Sequence, residues 1–327
     1  MKAIVQDRYG SPDVLHLREI DTPEPTGAEI LVRVHAAAVN AYDWHVMRGD
    51  PYIMRPQLGF GGPRMKVRGR DFAGRVEAVG RDVTRFRPGD EVYGDLGDAN
   101  GAFAEYACVP HTVVEPKPVN LTFEQAAAMP LAANTALTCL RDAARLQPGQ
   151  HVLINGASGG VGTFAIQIAK AHGAEVSGVC STRNVDLVRS TGADHVIDYS
   201  REDFTHHTRR YDVVFDLVGN RSLAEFRRAL DPTGTLILSG GGVSGGGSLL
   251  GPVGLIIRGK MLSRLIRQRL VVPTANPSQE NLAALRELAE SGKVTPVIDR
   301  TYPLSQTADA IRYVEMEHAR AKVVIAV

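Results

Sequence analysis

Cysteine is scarce in this chain of 327 residues: Cys108, Cys139 and Cys180 stand far apart, and no C-x-x-C spacing occurs. That excludes a thiolate metal cluster and a disulfide framework. Each cysteine sits among apolar neighbours, which marks a buried, inert thiol in a reducing compartment. Long apolar runs are absent too. No stretch approaches the roughly 18 uninterrupted apolar residues that a membrane span needs. The opening MKAIVQDRYG lacks the apolar core of a secretory signal, so a cytoplasmic location is expected. Excess charge is the third absence. A net charge of +1 gives no electrostatic reason for nucleic acid or an anionic membrane to be a partner. What remains, 44% hydrophobic and 22% charged residues, is ordinary for a globular protein, and the length suggests two domains.

The first 120 residues read mainly as β. KAIV, EILVRVHAAAV, FAGRVEAVG, DEVYGDL and FAEYACVP are short β-branched or alternating runs separated by turns such as RPGD. Near Thr122 the texture changes to an alanine-rich helical run, with Thr122 and Gln125 spaced as a capping box. From His151 onward strands and helices alternate in the rhythm of a doubly wound parallel sheet. A glycine-rich stretch, 240–254, precedes a segment carrying Arg258, Lys260, Arg264, Arg267 and Arg269 without an acid. It reads as a surface helix whose long basic stems cover its own apolar side, with a subunit contact or a lid as the alternatives.

NGASGGVG, Asn155 to Gly162, fits two motifs at once. Gly156 to Gly160 matches the G-x-S-x-G elbow of a serine hydrolase, and Ala157-x-Gly159-x-x-Gly162 matches a dinucleotide cradle. A hydrolase needs an acid and then a histidine downstream of Ser158. Asp216 would supply the acid, but His318, inside a predicted helix, is the only histidine after it. The cradle has no such gap. Ala157, Ser158, Gly159, Gly160, Val161 and Gly162 would let a pyrophosphate approach the backbone at a helix N-terminus. About twenty residues on, where an NAD site has an acid, this chain has Ser181, Thr182 and Arg183, donors suited to a 2′-phosphate. NADPH is therefore the expected cofactor. Gly219, Ser239 and Gly240 fall at the carboxyl ends of later strands, where such sheets bind ligands.

No tyrosine has a lysine four residues later, which removes the short-chain reductases. The stretches VNAYDWHVMRGDPY, GRDFAGRVEAVG, RFRPGDEVYG, GAFAEYACVP, INGASGGVGTFAIQIAK, GADHVIDY and AKVVIAV run along nearly the whole chain. In them it resembles the zinc-independent, quinone-oxidoreductase-like branch of the medium-chain dehydrogenase/reductase superfamily. That resemblance implies an α/β protein: a GroES-like β-rich catalytic domain (1–122), a Rossmann cofactor domain (123–270) and a C-terminal return (271–327) completing the first. It further implies an active site in the cleft, a homodimer, Tyr199 at the 2′-phosphate and Thr135 near the nicotinamide. Asn40, Asp43 and Tyr52 fall where relatives line the substrate pocket, although Asp43 equally suits a local cap. Trp44, Met47 and Met54 suggest either a bulky apolar substrate or core packing.

Zinc enzymes of the superfamily carry Gly-His-Glu where this chain has Gly69-Arg70-Asp71, and a cysteine where it has NAYD. Zinc needs three or four N, S or O ligands, and an arginine is a permanent cation. His35 and His45 on what reads as a β segment are packing or surface residues by this account. The expected protein is metal-free and reduces a small apolar quinone or α,β-unsaturated carbonyl with NADPH. The alternatives are a zinc-free alcohol or aldehyde dehydrogenase, or a non-catalytic NADPH-binding, RNA-associated protein.

Overall fold

A computed structural model describes residues 1–239, 267–316 and 319–327. The β-rich opening forms β1 (Lys2–Gln6), β2 (Leu15–Glu19), β3 (Glu29–Val39), β4 (Asp71–Val79), β5 (Glu91–Asp95), β6 (Tyr106–Pro110) and β7 (Val114–Pro116). The alternating part adds β8 (His151–Asn155), β9 (Glu175–Cys180), β10 (His195–Asp198), β11 (Tyr211–Asp216), β12 (Leu230–Leu238) and β13 (Arg269–Val271). Two strands close the chain, β14 (Ile298–Pro303) and β15 (Lys322–Ala326). The chain forms two compact units, Met1–Asn134 with Asn276–Val327, and Thr135–Ala275.

In the first unit the main sheet runs β14-β15-β3-β4-β5-β7, with β6 also on β3. Val323, Val324 and Ile325 of β15 are buried, and β15 pairs antiparallel with β3. Their burial is what returns the chain's last residues to the unit that its first residues began. In the second unit all six strands are parallel, in the order β10-β9-β8-β11-β12-β13. Numbered from β8, this is the 3-2-1-4-5-6 order of a dinucleotide-binding sheet, and the order reverses between β8 and β11. Its strands are apolar on both faces, as a doubly covered parallel sheet requires, with Leu153, Val179, Val214 and Leu236 in the core.

Three local expectations change. The segment around His45 is a helix, Ala41–Arg48, rather than β. Asp43 accepts the Asn40 N–H at 2.7 Å to start it, and Gly49 in the left-handed region (φ 60°) stops it. The alanine-rich run is broken into Phe123–Ala127 and Pro130–Leu137, because Pro130 has no N–H to continue the first helix and opens a second. Residues Thr138–Ala144 then follow as a π-helix. The capping box of Thr122 and Gln125 forms as expected. Strand β11 ends at Asp216, three residues before Gly219, because the Asp216 carboxylate takes the N–H groups of Val218 and Gly219 and turns the chain. Gly240, residues 258–266 of the basic segment and His318 lie outside the described residues, and Arg269 falls in β13.

Candidate functional site

The cradle is built where β8 gives way to the helix Gly160–Ala171. Gly156 adopts φ +89°, and the N–H groups of Gly156 and Ala157 both donate to Val179 O, at 3.2 and 3.0 Å. These two donors pin the loop to β9. Gly159 N–H turns back to Gly156 O at 3.1 Å, and Thr163 N–H makes the first helical bond, to Gly159 O. That leaves the N–H groups of Gly160, Val161 and Gly162 without a carbonyl inside the helix, an anion-binding arrangement at the positive end of its dipole. A Cβ on Gly162 would lie 2.3 Å from Gly156 O and 2.7 Å from Ala157 C. A Cβ on Gly178 of β9 would lie 3.0 Å from Ala157 Cβ on the loop and 2.6 Å from Val188 Cγ1 on the helix Val185–Ser190. Only glycine fits at either point, so the loop, helix and strand meet at the closeness a dinucleotide cradle needs.

Ser158 is half-buried, and its Oγ accepts a hydrogen bond from Asn184 Nδ2 at 3.0 Å. Among the described residues its side chain has no histidine partner, so the nucleophile motif lacks its base. Asn184 Nδ2 also donates to Ser181 Oγ at 3.2 Å, which joins the loop to the tip of β9. Thr182 departs from expectation: its hydroxyl donates to Asp198 Oδ2 at 2.7 Å. A hydroxyl carries one proton, so Thr182 has none left for a 2′-phosphate. That bond also holds the Asp198 carboxyl below its ordinary range. Arg183 is exposed at the tip, and Tyr199, 55% exposed, is tied beside it through its N–H to Cys180 O at 3.1 Å. Sequence reasoning passed over Asn184 and Asp198. Asn184 directly follows Ser181, Thr182 and Arg183, but nothing local shows that it reaches Ser158.

At the switch point the fully buried Asp216 accepts Asn155 Nδ2 at 2.8 Å, Val218 N–H at 3.2 Å and Gly219 N–H at 3.0 Å. Burial pushes its pKa up in spite of these donors. Its backbone carbonyl takes Ser239 N–H at 3.0 Å, so the ends of β8, β11 and β12 are bound into one rim. Gly219 (φ +73°) and Ser239 lie on that rim, whereas half-buried Thr135 lies in the helix Pro130–Leu137. Cys139 and Cys180 are buried as expected, whereas Cys108 is half-buried; desolvation pushes Cys108 and Cys180 up to about 11 and Cys139 up to about 12.

In the other unit, the pocket residues separate. Asn40 is buried, with Nδ2 donating to Asp71 Oδ2 at 3.0 Å and Oδ1 accepting from Lys322 Nζ at 2.5 Å. Lys322 Nζ also donates to Val39 O at 3.1 Å, and Asp71 Oδ1 accepts Leu131 N–H at 3.1 Å. Asp43 is buried as well and serves as the cap, with Oδ1 left unpartnered. Both ends of the Asn40 amide are thus engaged inside the fold, and neither Asn40 nor Asp43 faces solvent as a pocket-lining group would. Tyr52 does: it is 41% exposed, with Arg55 stacked 4.3 Å from its ring centroid. Trp44 and Met47 are core residues, which settles them as packing; the Met54 side chain lies outside the description.

This burial has a pH consequence. Desolvation raises the Asp43 pKa from 3.8 to about 6, against the opposing pull of the Asn40 N–H and of Arg68, Arg70 and Lys322. The folded state then keeps a proton that the unfolded chain gives up between about pH 4 and pH 6. Unfolded chains bind fewer protons in that window, so this group's contribution is present at acid pH and lost as pH rises to about 6. Asp43→Asn keeps the cap acceptor and removes the titration. Urea unfolding across pH 4–7 is expected to give the variant a gain over wild type that grows by roughly 2–3 kcal/mol through that range. A pH-independent difference would refute the assignment.

Residue 70 is held in a buried ion pair. Arg70 Nε and Nη2 reach Asp95 Oδ1 and Oδ2 at 2.9 and 2.8 Å, both side chains buried. Burial alone would pull the Arg70 pKa down, but the Asp95 bonds carry it above the ordinary value. His35 stacks on Phe123 at 4.4 Å and His45 on Trp44 at 3.6 Å, and burial lowers the pKa of each. Among the described residues no group of three or more His, Cys, Asp or Glu side chains is arranged to hold a metal ion.

With this geometry in hand, comparison with known proteins adds the family. An alcohol dehydrogenase GroES-like domain matches residues 26–119, and a zinc-binding dehydrogenase domain matches residues 191–325. The 2-methylene-furan-3-one reductase of Solanum lycopersicum is 36% identical, over 99% of this chain and 79% of that one. The chloroplastic NADPH-dependent alkenal/one oxidoreductase of Arabidopsis thaliana is also 36% identical over the same shares. Among solved structures, the quinone oxidoreductase of Coxiella burnetii superposes with a TM-score of 0.87 at 32% identity, covering 100% of this chain and 99% of that one.

Proposed function

Because the chain belongs to the quinone-oxidoreductase-like branch of the medium-chain dehydrogenase/reductase superfamily, we propose that it is an NADPH-dependent reductase of quinones or α,β-unsaturated carbonyls. The observation that carries this reading is the cradle, whose Gly162 has no room for a Cβ and whose helix N-terminus offers three unspent N–H groups. Bound NADPH supplies a hydride equivalent from its nicotinamide C4.

The chain's own residues supply binding and orientation. Gly160, Val161 and Gly162 donate backbone N–H groups to the pyrophosphate, and Ser158 adds a hydroxyl. Ser181 and Arg183 hold the 2′-phosphate, with Tyr199 beside them. Gly219, Ser239 and Thr135 border the nicotinamide. Tyr52 donates a hydrogen bond to the substrate's carbonyl oxygen, where charge builds as hydride arrives. Asn40 and Asp43 act indirectly, by fixing the helix that precedes Tyr52.

The reaction proceeds without zinc in this proposal. A zinc ligand at residue 70 would have to replace an arginine whose planar fork is already filled by Asp95. An alcohol then lacks the Lewis acid that makes its oxygen an alkoxide, so an already electrophilic acceptor is the easier substrate. A cytoplasmic homodimer belongs to the same proposal. No described helix is long and apolar enough to cross a membrane.

The test is an assay of NADPH and NADH oxidation against quinones, enones and aldehydes, with metal analysis of the same sample. Turnover of quinones or enones with NADPH preferred is the expected result. Stoichiometric zinc, or a preference for NADH, would overturn it. Arg183→Ala is expected to raise KM for NADPH by about tenfold or more, since a charged hydrogen bond to phosphate is worth about 1.5–3 kcal/mol, and to leave KM for NADH nearly unchanged. Equal changes for the two cofactors would remove Arg183 from the 2′-phosphate.

A further inference from the structure

Asn184 is 5% exposed and sits between two hydroxyls that belong to different parts of the chain. Its Nδ2 has two protons, and both are spent: one on Ser158 Oγ at 3.0 Å and one on Ser181 Oγ at 3.2 Å. Each serine therefore accepts from Asn184 and keeps its single hydroxyl proton, and neither hydroxyl proton has a taker among the described residues. Ser158 lies on the cradle loop, and Ser181 lies at the end of β9 where the ribose side of a dinucleotide falls. The opposite amide orientation would turn both serine protons inward onto Oδ1. Oδ1 is instead buried without a hydrogen-bond partner, an arrangement with an energetic cost that packing alone does not explain.

We propose that Asn184 is a positioning residue for phosphate recognition, which holds the Ser158 hydroxyl as a donor at the pyrophosphate and the Ser181 hydroxyl as a donor at the 2′-phosphate, and through Ser181 sets the preference for NADP(H) over NAD(H). The inference rests on the cofactor reading above. It assigns the preference to a hydrogen-bond polarity as well as to the charge of Arg183. A carboxylate in place of the amide reverses that polarity, because it has only acceptors. Both serines would then donate to it, and a negative charge would stand beside the phosphate subsite.

The experiment is calorimetric titration of the purified protein with NADP⁺, NAD⁺ and 2′,5′-ADP. In Asn184→Asp, NADP⁺ and 2′,5′-ADP are expected to lose about a hundredfold in affinity and NAD⁺ less than tenfold, a selectivity shift of about tenfold or more. Asn184→Ala is expected to move the ratio in the same direction by a smaller factor, and to have no further effect in a Ser158→Ala, Ser181→Ala background, since residues acting through one another are non-additive. If the Asp variant does not fold, as judged by its thermal transition, the alanine cycle decides. Equal losses for NADP⁺ and NAD⁺, or a full Asn184→Ala effect without the serines, would overturn the proposal. Wild-type protein that binds neither nucleotide would overturn the cofactor reading itself, and this inference with it.

Discussion

Gly162→Ala is expected to cost at least about a hundredfold in nucleotide affinity, because the added methyl would collide with backbone that cannot move aside. The new Cβ would stand 2.3 Å from Gly156 O and 2.7 Å from the carbonyl carbon and oxygen of Ala157. Neither residue is free to give way. Gly156 and Ala157 are tied to Val179 O through their N–H groups, and Gly156 O holds Gly159 N–H. Relief must come from the first turn of the helix Gly160–Ala171, and that moves the three N–H groups that would hold the pyrophosphate. The internal control is Gly159→Ala. Its Cβ would meet Gly156 O at 3.4 Å, an ordinary contact, and its φ of −80° suits any residue. Overpacking of this kind costs about 1–3 kcal/mol, so Gly162→Ala is expected to unfold at distinctly lower urea than Gly159→Ala. Calorimetry and urea titration of both variants check the pair. If Gly162→Ala bound NADP⁺ as wild type does, the cradle would lie elsewhere.

That residue was readable from the sequence because its constraint is local: strand, tight turn and helix lie within a dozen residues of one another. The same holds for Thr122 with Gln125. The helix Ala41–Arg48 carried equally local signals, Asn40 with Asp43 at its start and Gly49 at its stop, but they were masked by the β texture around them. What the sequence does not expose is partnership across distance. Asn184 becomes meaningful only when β9 pairs with β8 and carries its tip to Ser158. Lys322 and Asp71 come from opposite ends of the chain and meet only because β15 docks on β3. Thr182 illustrates the converse. Its residue type suited a phosphate, yet the parallel pairing of β10 with β9 supplies an acid, Asp198, that takes its proton first. Residue type and spacing pointed to the proposed cofactor site, while hydrogen-bond competition limits which of its polar groups remain free to serve it.

The same competition makes Asp95→Ala the most damaging single change expected in the first unit. Asp95 neutralises Arg70 through two bonds, at 2.9 and 2.8 Å, and its Oδ1 also takes Gly97 N–H at 2.8 Å. Removing one partner of a buried pair leaves an uncompensated charge, at a cost of about 3–5 kcal/mol, whereas replacing both by apolar groups is far milder. Arg70 has a weak second refuge, the Tyr42 ring 4.5 Å from its guanidinium carbon, which does not replace a carboxylate. Urea unfolding is therefore expected to show Asp95→Ala destabilised by about 3–5 kcal/mol and the double variant Arg70→Met, Asp95→Leu by at least about 2 kcal/mol less. Equal losses in the two would mean that Asp95 acts through Gly97 rather than through Arg70. The prediction also bears on metal. Arg70→His, with Asp95 kept, supplies one imidazole and frees one carboxylate, still short of a tetrahedral ligand set. Such a variant that nevertheless retained stoichiometric zinc would show that Arg70 alone had kept the metal out, and that the zinc-free chemistry proposed above hangs on one residue.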